Sequence, residues 1–149
     1  VSMTTAQLID RLTQLHPRLI DLKLERMERL LVALGNPHHR LPPTFHFAGT
    51  NGKGSTIAFM RAMLEVHGLR VHAYTSPHLV RFNERIRIGR TGGGVLVDDE
   101  ALADALIRCE QANQGQPITI FEIITAAALL LFSEHPADVL LLEVGLGGR

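Results

Sequence analysis

The sequence has no tryptophan, one tyrosine and one cysteine, and the shortage of cysteine alone closes off two classes of protein. A single thiol, Cys109, cannot form an internal disulfide or a structural zinc framework. The eight histidines form no His-x-x-x-His pair, so the helical zinc-hydrolase pattern is missing as well. Net charge is also absent. Fifteen basic residues balance fifteen acidic ones, which removes the broad attraction that a nucleic-acid or membrane-surface binder needs. The longest apolar run, Ala126 to Phe132 with Ile123 and Ile124 just before it, is too short to span a bilayer. The polar start lacks the basic-then-apolar order of a signal peptide. There is no Gly-x-Ser-x-Gly elbow for a serine hydrolase, and no repeat or low-complexity tract. These absences lead us to expect a cytoplasmic protein in a reducing compartment, with neither nucleic acid nor membrane as partner.

What is present suits one α/β domain with a real core: 149 residues, 46% of them hydrophobic, are enough to bury one. Leu8, Ile9, Leu12 and Leu15 at helical spacing, behind Thr4 or Thr5 as N-cap, predict a first helix ended by Pro17. Residues 22–34 repeat the pattern through Leu24, Met27, Leu30, Leu31 and Leu34 and stop at Gly35-Asn36-Pro37. These two helices are expected to form an N-terminal antiparallel pair. Between them Asp21 reads as a cap and Lys23 as a solvated side chain. A polar linker then leads to a strand at 44–48. The expected division is a helical pair with linker over 1–43 and a nucleotide-binding domain over 44–149.

The stretch Phe45-His46-Phe47-Ala48-Gly49-Thr50-Asn51-Gly52-Lys53-Gly54-Ser55-Thr56 carries the strongest chemistry. A β-forming run enters a glycine-rich turn and a helical pattern leaves it. The glycines permit close backbone approach to a ligand. Successive N–H groups at the positive end of a helix make an anion nest. Lys53 adds a point charge, and Ser55 or Thr56 offers a hydroxyl to phosphate or Mg²⁺. This is a phosphate cradle, although not a strict Walker A loop: Gly54 separates Lys53 from the hydroxyl residue, and Phe47 stands where that pattern has glycine.

Further along, a strand at 70–74 runs into Thr75-Ser76-Pro77-His78. A loop at the carboxyl end of a sheet strand is where α/β proteins place ligand contacts, so Ser76 either faces the phosphate site or is a plain turn serine. Residues 84–88 alternate like a half-exposed strand, with Arg81, Arg85, Arg87 and Arg90 around them read as a solvated face. Gly89 to Gly94 reads as a mobile turn. Asp98, Asp99 and Glu100 start an acidic helix that buries Cys109 as an inert thiol. Ile118-Thr119-Ile120-Phe121-Glu122 leads into an apolar helix over 123–132, where Glu122 is either a helix-start acid or a site residue. Val139 to Val144 fits a parallel strand buried on both faces. Its Glu143 is costly to bury unless paired or bound to metal. An acid at the end of a strand neighbouring a P-loop is the natural partner of hydrated Mg²⁺.

Four motifs occur in one order: Ala-Gly-Thr-Asn-Gly-Lys-Gly-Ser at 48–55, Ser-Pro-His at 76–78, Phe-Asn-Glu-Arg-Ile at 82–86 and Glu-Val-Gly-Leu-Gly-Gly-Arg at 143–149. From about Asp21 onward the chain resembles the N-terminal part of folylpolyglutamate synthase/dihydrofolate synthase, of the Mur ligase superfamily. Gly54 is then that family's own form of the loop. The resemblance implies a P-loop Mur-ligase-type ATPase domain, with a partial parallel sheet flanked by helices. It implies that Thr50, Asn51, Gly52, Lys53, Gly54 and Ser55 hold ATP phosphates, with Lys53 also catalytic. Ser76 and Glu143 would be Mg²⁺ ligands. Asp21, Leu22, Lys23, Thr119, Ile120, Phe121 and Glu122 would line the pteroate or folate pocket. The implied reaction is ATP-dependent amide formation: a carboxylate of dihydropteroate or a reduced folate is activated as an acyl phosphate, and the amine of L-glutamate displaces phosphate. The cofactors are ATP and Mg²⁺, and the whole protein is expected to be monomeric. The family's further metal ligand and glutamate-binding domain are expected beyond Arg149, which leaves the fragment catalytically incomplete. The competing readings are another P-loop phosphoryl-transfer enzyme, a Mur ligase of cell-wall synthesis, or a fragment that only binds nucleotide.

Overall fold

The computed structural model of the chain describes residues 4–16, 24–47, 53–76 and 80–143. These fall into two compact units.

The first unit, Val1–Arg40 with Asp98–Ser133, is helical. Helix α1, Thr5–Leu15, begins in a capping box. Gln7 donates its backbone N–H to the Thr4 hydroxyl, and its side-chain oxygen accepts from the Thr4 N–H. Those two bonds satisfy donors that a helix start leaves open. Helix α2, Leu24–Ala33, buries Leu30 and Leu31. It ends where Gly35 and Asn36 take positive φ, 87° and 57°, the left-handed turn that closes many helices. Helix α4, Asp99–Asn113, is capped by the Asp98 carboxylate, which accepts the Ala101 N–H at 2.8 Å. Cys109 is buried within it. Both α1 and α2 pack on α4. Helix α5, Ile120–Glu134, is apolar on nearly every side, with ten buried residues. The expected division at 43/44 runs differently from these units, because α4 and α5 cluster with α1 and α2.

The second unit, Leu41–Val97 with Glu134–Arg149, holds the sheet. Its strands are β1 (Thr44–Phe47), β2 (Val71–Tyr74), β3 (Ile86–Ile88), β4 (Val95–Leu96) and β5 (Val139–Glu143), in the spatial order β1-β5-β2-β3-β4. The pairs β1–β5 and β5–β2 are parallel, whereas β2–β3 and β3–β4 are antiparallel. The sheet is therefore mixed: the expected parallel part is three strands wide, and a short hairpin extends it. Helix α3, Lys53–Val66, covers one face. There Ile57 packs with Val71, Ala73, Val139 and Leu141, flanked by Phe47, Met60 and Leu64. Met63 on the same helix is half exposed.

The other side of β2 carries His72, which is fully buried. Its Nε2 lies 2.9 Å from the carbonyl of His135, and its Nδ1 accepts the Gly89 N–H at 2.8 Å. A carbonyl can only accept and an amide N–H can only donate, so the ring is neutral with its proton on Nε2. No helix among the described residues is long and apolar enough to cross a membrane.

Candidate functional site

Parallel pairing brings three strand ends to one edge of the sheet. Phe47, the last residue of β1, is in register with Glu143, the last of β5, and Tyr74 of β2 is in register with Leu142. Strands β1, β2 and β5 all end at that edge, and residues 75–76 leave β2 there; such an edge is where α/β sheets bind ligands. Thr50, Asn51 and Gly52 lie outside the described residues. Lys53, Gly54 and Ser55 form the first turn of α3, and Ser55 is exposed.

Glu143 is 6% exposed. Its Oε1 accepts the backbone N–H of Ser76 at 3.2 Å, so the two residues expected to share a metal are neighbours. Both border a cavity of about 300 Å³, together with Thr75, Arg61, Glu84 and Arg87. Among the described residues no three His, Cys, Asp or Glu side chains cluster so as to hold a metal. The local donors are one carboxylate and one hydroxyl. Hard oxygen donors in small number suit Mg²⁺, which keeps several waters and takes the rest of its shell from substrate phosphates. The residues present fit that ion.

The arginines beside this edge are less solvated than their density in sequence suggests. Residues Phe82–Arg85 form a 3₁₀ turn rather than strand, with Asn83 and Arg85 buried. The Asn83 amide donates to the Val97 carbonyl at 2.8 Å, and the Arg85 guanidinium lies over the Phe82 ring at 5.2 Å. Arg87 donates to the Gly94 carbonyl at 2.9 Å. Burial lowers its pKa from the ordinary value, helped by Arg61 and opposed by Glu65. Glu65 ties the hairpin to α3 by accepting from both Arg61, at 2.8 Å, and the Gly94 N–H, at 3.0 Å. The glycine run is thus the turn of a hairpin tied to α3 by the hydrogen bond from Gly94 to Glu65.

The expected pteroate segments belong to the first unit. Asp21, Leu22 and Lys23 lie outside the described residues. Thr119, Ile120 and Glu122 are buried and Phe121 is half-buried. Thr119 and Glu122 form a reciprocal capping box: the Thr119 N–H donates to Glu122 Oε1 at 2.9 Å, and the Glu122 N–H donates to Thr119 Oγ1 at 3.1 Å. Helix α5 therefore starts at Ile120, one turn before the expected 123. The Thr-x-x-Glu spacing was the signal for that start. The partner of Glu122 had no such signal: Arg26 on α2 reaches it from 96 residues away in sequence.

No protein-family model matches the chain. Curated relatives do. Over 135 residues, or 85% of its length, it is 44% identical to a dihydrofolate synthase/folylpolyglutamate synthase of Bacillus subtilis, of which it covers 30%. Among solved structures, Escherichia coli FolC in complex with DHPP and ADP superposes with a TM-score of 0.88 at 38% identity, covering 99% of this chain and 34% of that one. A bifunctional folylpolyglutamate synthase/dihydrofolate synthase with Mn, AMPPNP and L-glutamate bound gives 0.85 at 37%, with 99% and 34% covered. The chain spans about one third of the length of these relatives.

Proposed function

Because this chain belongs to the folylpolyglutamate synthase/dihydrofolate synthase family, a group of Mur ligase type, we propose that the whole protein is an ATP-dependent amide ligase. It joins L-glutamate to dihydropteroate, to reduced folates, or to both. The observation that carries the reading is the meeting of Ser76 and Glu143 at the edge where α3 begins with Lys53. In a P-loop enzyme that is where phosphates and their cation are held.

In this reading residues 50–55 cradle the ATP phosphates, with backbone N–H groups and the Lys53 charge offsetting the negative charge that builds up on transfer. Ser76 and Glu143 hold Mg²⁺, which supplies charge neutralisation when bound. Glu143 also orients the Ser76 backbone through its hydrogen bond. The substrate carboxylate takes the γ-phosphoryl group to become an acyl phosphate. The glutamate amine then attacks the acyl carbon, and inorganic phosphate departs. No side chain of this chain acts as a covalent nucleophile; its contribution is positioning and electrostatics. Residues 21–23 and 119–122 hold the pteroate or folate. The related structures with ADP, AMPPNP, Mn, DHPP or L-glutamate bound support these ligand classes. We also read the whole protein as a cytoplasmic monomer; the buried free thiol of this chain suits a reducing compartment.

The test is ADP release by the whole protein with dihydropteroate, tetrahydrofolate or a UDP-muramyl substrate, each with and without L-glutamate. Glutamate-dependent release with a pteroate or folate substrate is the expected result. Stimulation by the muramyl substrate alone overturns the folate reading.

A further inference from the structure

The cavity that Ser76 and Glu143 border extends away from the strand ends, between α3 and the sheet. Its walls there are small or apolar: Ile57 and Ala58 of α3, Ala73 of β2 and Leu96 of β4. Set into these walls are two guanidinium groups, Arg61 from α3 and Arg87 from β3. All of these residues belong to the second unit.

Arg87 is under-paired for a half-buried cation. Its Nη2 donates to the Gly94 carbonyl at 2.9 Å, whereas its Nε is buried and has no hydrogen-bond partner among the described residues. A neutral carbonyl offsets no charge, and burial and the nearness of Arg61 both disfavour the charged form. The carboxylates around it are engaged with other donors. Glu65 accepts from Arg61 and from the Gly94 N–H. Glu84 accepts the backbone N–H groups of Val80 and Arg81, each at 3.1 Å, and Glu143 accepts that of Ser76. A buried donor without an acceptor is destabilising, the more so on a cation. In a cavity of ligand size, the group that would complete it is a small anion.

We propose that Arg61 and Arg87 form a phosphate subsite in this cavity, and that it takes up the inorganic phosphate released beside Ser76 and Glu143. Naming the anion as that product rests on the ligase reading. Two guanidinium forks match the several oxygens of a tetrahedral oxyanion, and apolar walls strengthen the attraction by keeping the local dielectric low. Glu84 and Glu143 border the cavity too and repel an anion, which confines the subsite to the end formed by Arg61, Arg87 and Leu96. Arg61 stands eight residues beyond Lys53, about 12 Å along the helix axis, so the subsite is separate from a phosphate cradle at the start of α3.

The test is equilibrium dialysis of radiolabelled inorganic phosphate against the whole protein saturated with AMPPNP and Mg²⁺, which fill the cradle. The wild-type protein is expected to bind one phosphate under these conditions. Arg87→Gln and Arg61→Gln, each shown to be folded by circular dichroism, should weaken that binding roughly tenfold or more, the scale of a lost hydrogen bond to a charged group. Arg87→Lys keeps the charge without the fork and should fall in between. Phosphate binding that disappears when AMPPNP is present overturns the proposal, since the cradle alone then accounts for it. So does wild-type affinity in the folded Arg87→Gln protein; if that variant does not fold, wild-type affinity in Arg61→Gln overturns it instead. The measurement needs no acceptor substrate, so failure of the ligase reading looks different. Phosphate binding that depends on Arg87, in a protein without glutamate-dependent ADP release, keeps the subsite and overturns only its assignment to the product.

Discussion

The backbone N–H of Ser76 donates to the carboxylate of Glu143 at 3.2 Å, so the residue leaving β2 and the residue ending β5 are fixed to each other before any ligand arrives. This preset edge makes Glu143 open to a clean test. Glu143→Gln keeps the shape and an acceptor for the Ser76 N–H but removes the charge. In the whole protein, ADP release should fall by about two orders of magnitude or more, the scale of losing one preorganised electrostatic contact. Thermal unfolding should stay near wild type. Undiminished turnover at ordinary Mg²⁺ concentration would remove Glu143 from the metal's coordination.

His72 tests the core instead of the chemistry. His72→Leu strands the buried Gly89 N–H that now donates to Nδ1 and frees the His135 carbonyl. A buried unsatisfied amide costs roughly 1–3 kcal/mol. Urea unfolding should show a loss of that size, and an unchanged midpoint would mean that the hairpin re-pairs without the ring.

Two glycines of the same hairpin should behave oppositely in kind. A Cβ on Gly89 would stand 2.4 Å from the Val71 nitrogen, against backbone that cannot turn aside. Gly89→Ala should therefore cost about 3 kcal/mol or more, at the upper end of overpacking effects. Gly92 has φ +87° and open space around it, so Gly92→Ala should cost about 1 kcal/mol, as backbone strain alone. Denaturant midpoints of the pair check the ranking.

Arg70 bonds Asp138 through its guanidinium, at 3.3 and 3.4 Å, and through its backbone N–H, at 2.8 Å. These bonds hold the Asp138 carboxyl below its ordinary value of 3.8. A folded-state value below the unfolded one gives stability that is present above about pH 4 and is lost as pH falls through the folded value. The pair is exposed, so the effect is small and screened by salt. Asp138→Asn should lower the melting temperature at neutral pH and low salt. That difference should fade on acidification below about pH 4; a difference that persisted there would assign it to packing.

Local chemistry made much of this readable from sequence. The Thr4 cap (one of two threonines the pattern offered), the acidic helix start at 98–100, the helical spacing of Leu8 and Leu12, and the apolar strand from Val139 with Glu143 near its end each depend on residues near one another in the chain, and the structure has each of them. The nearness of Ser76 and Glu143 was legible only through the family resemblance, since strand-end logic by itself left Ser76 open as a plain turn serine. What escaped depends on distant partners. The burial of Arg85 beside Phe82, the neutral clamp on His72, and the approach of Arg26 to Glu122 are decided by topology, which spacing does not encode. Strand β4 is only two residues long, with both exposed, so no alternation announced it. The Thr119–Glu122 box was an exception. It was local and visible, but the apolar run behind it drew the helix start one turn too late.

Among the described strands β5 is the last in sequence order, yet it sits between β1 and β2 and pairs with both. While the chain emerges in order, β1 and β2 have no parallel partner until residues 139–143 have been made. Such non-local pairing is slow and leaves strand edges exposed in the meantime. Glu143 then arrives on the strand that joins β1 to β2. A chain made only as far as β2 therefore lacks Glu143 at the proposed phosphate edge, and gaining that part of the proposed cation site coincides with joining β1 to β2.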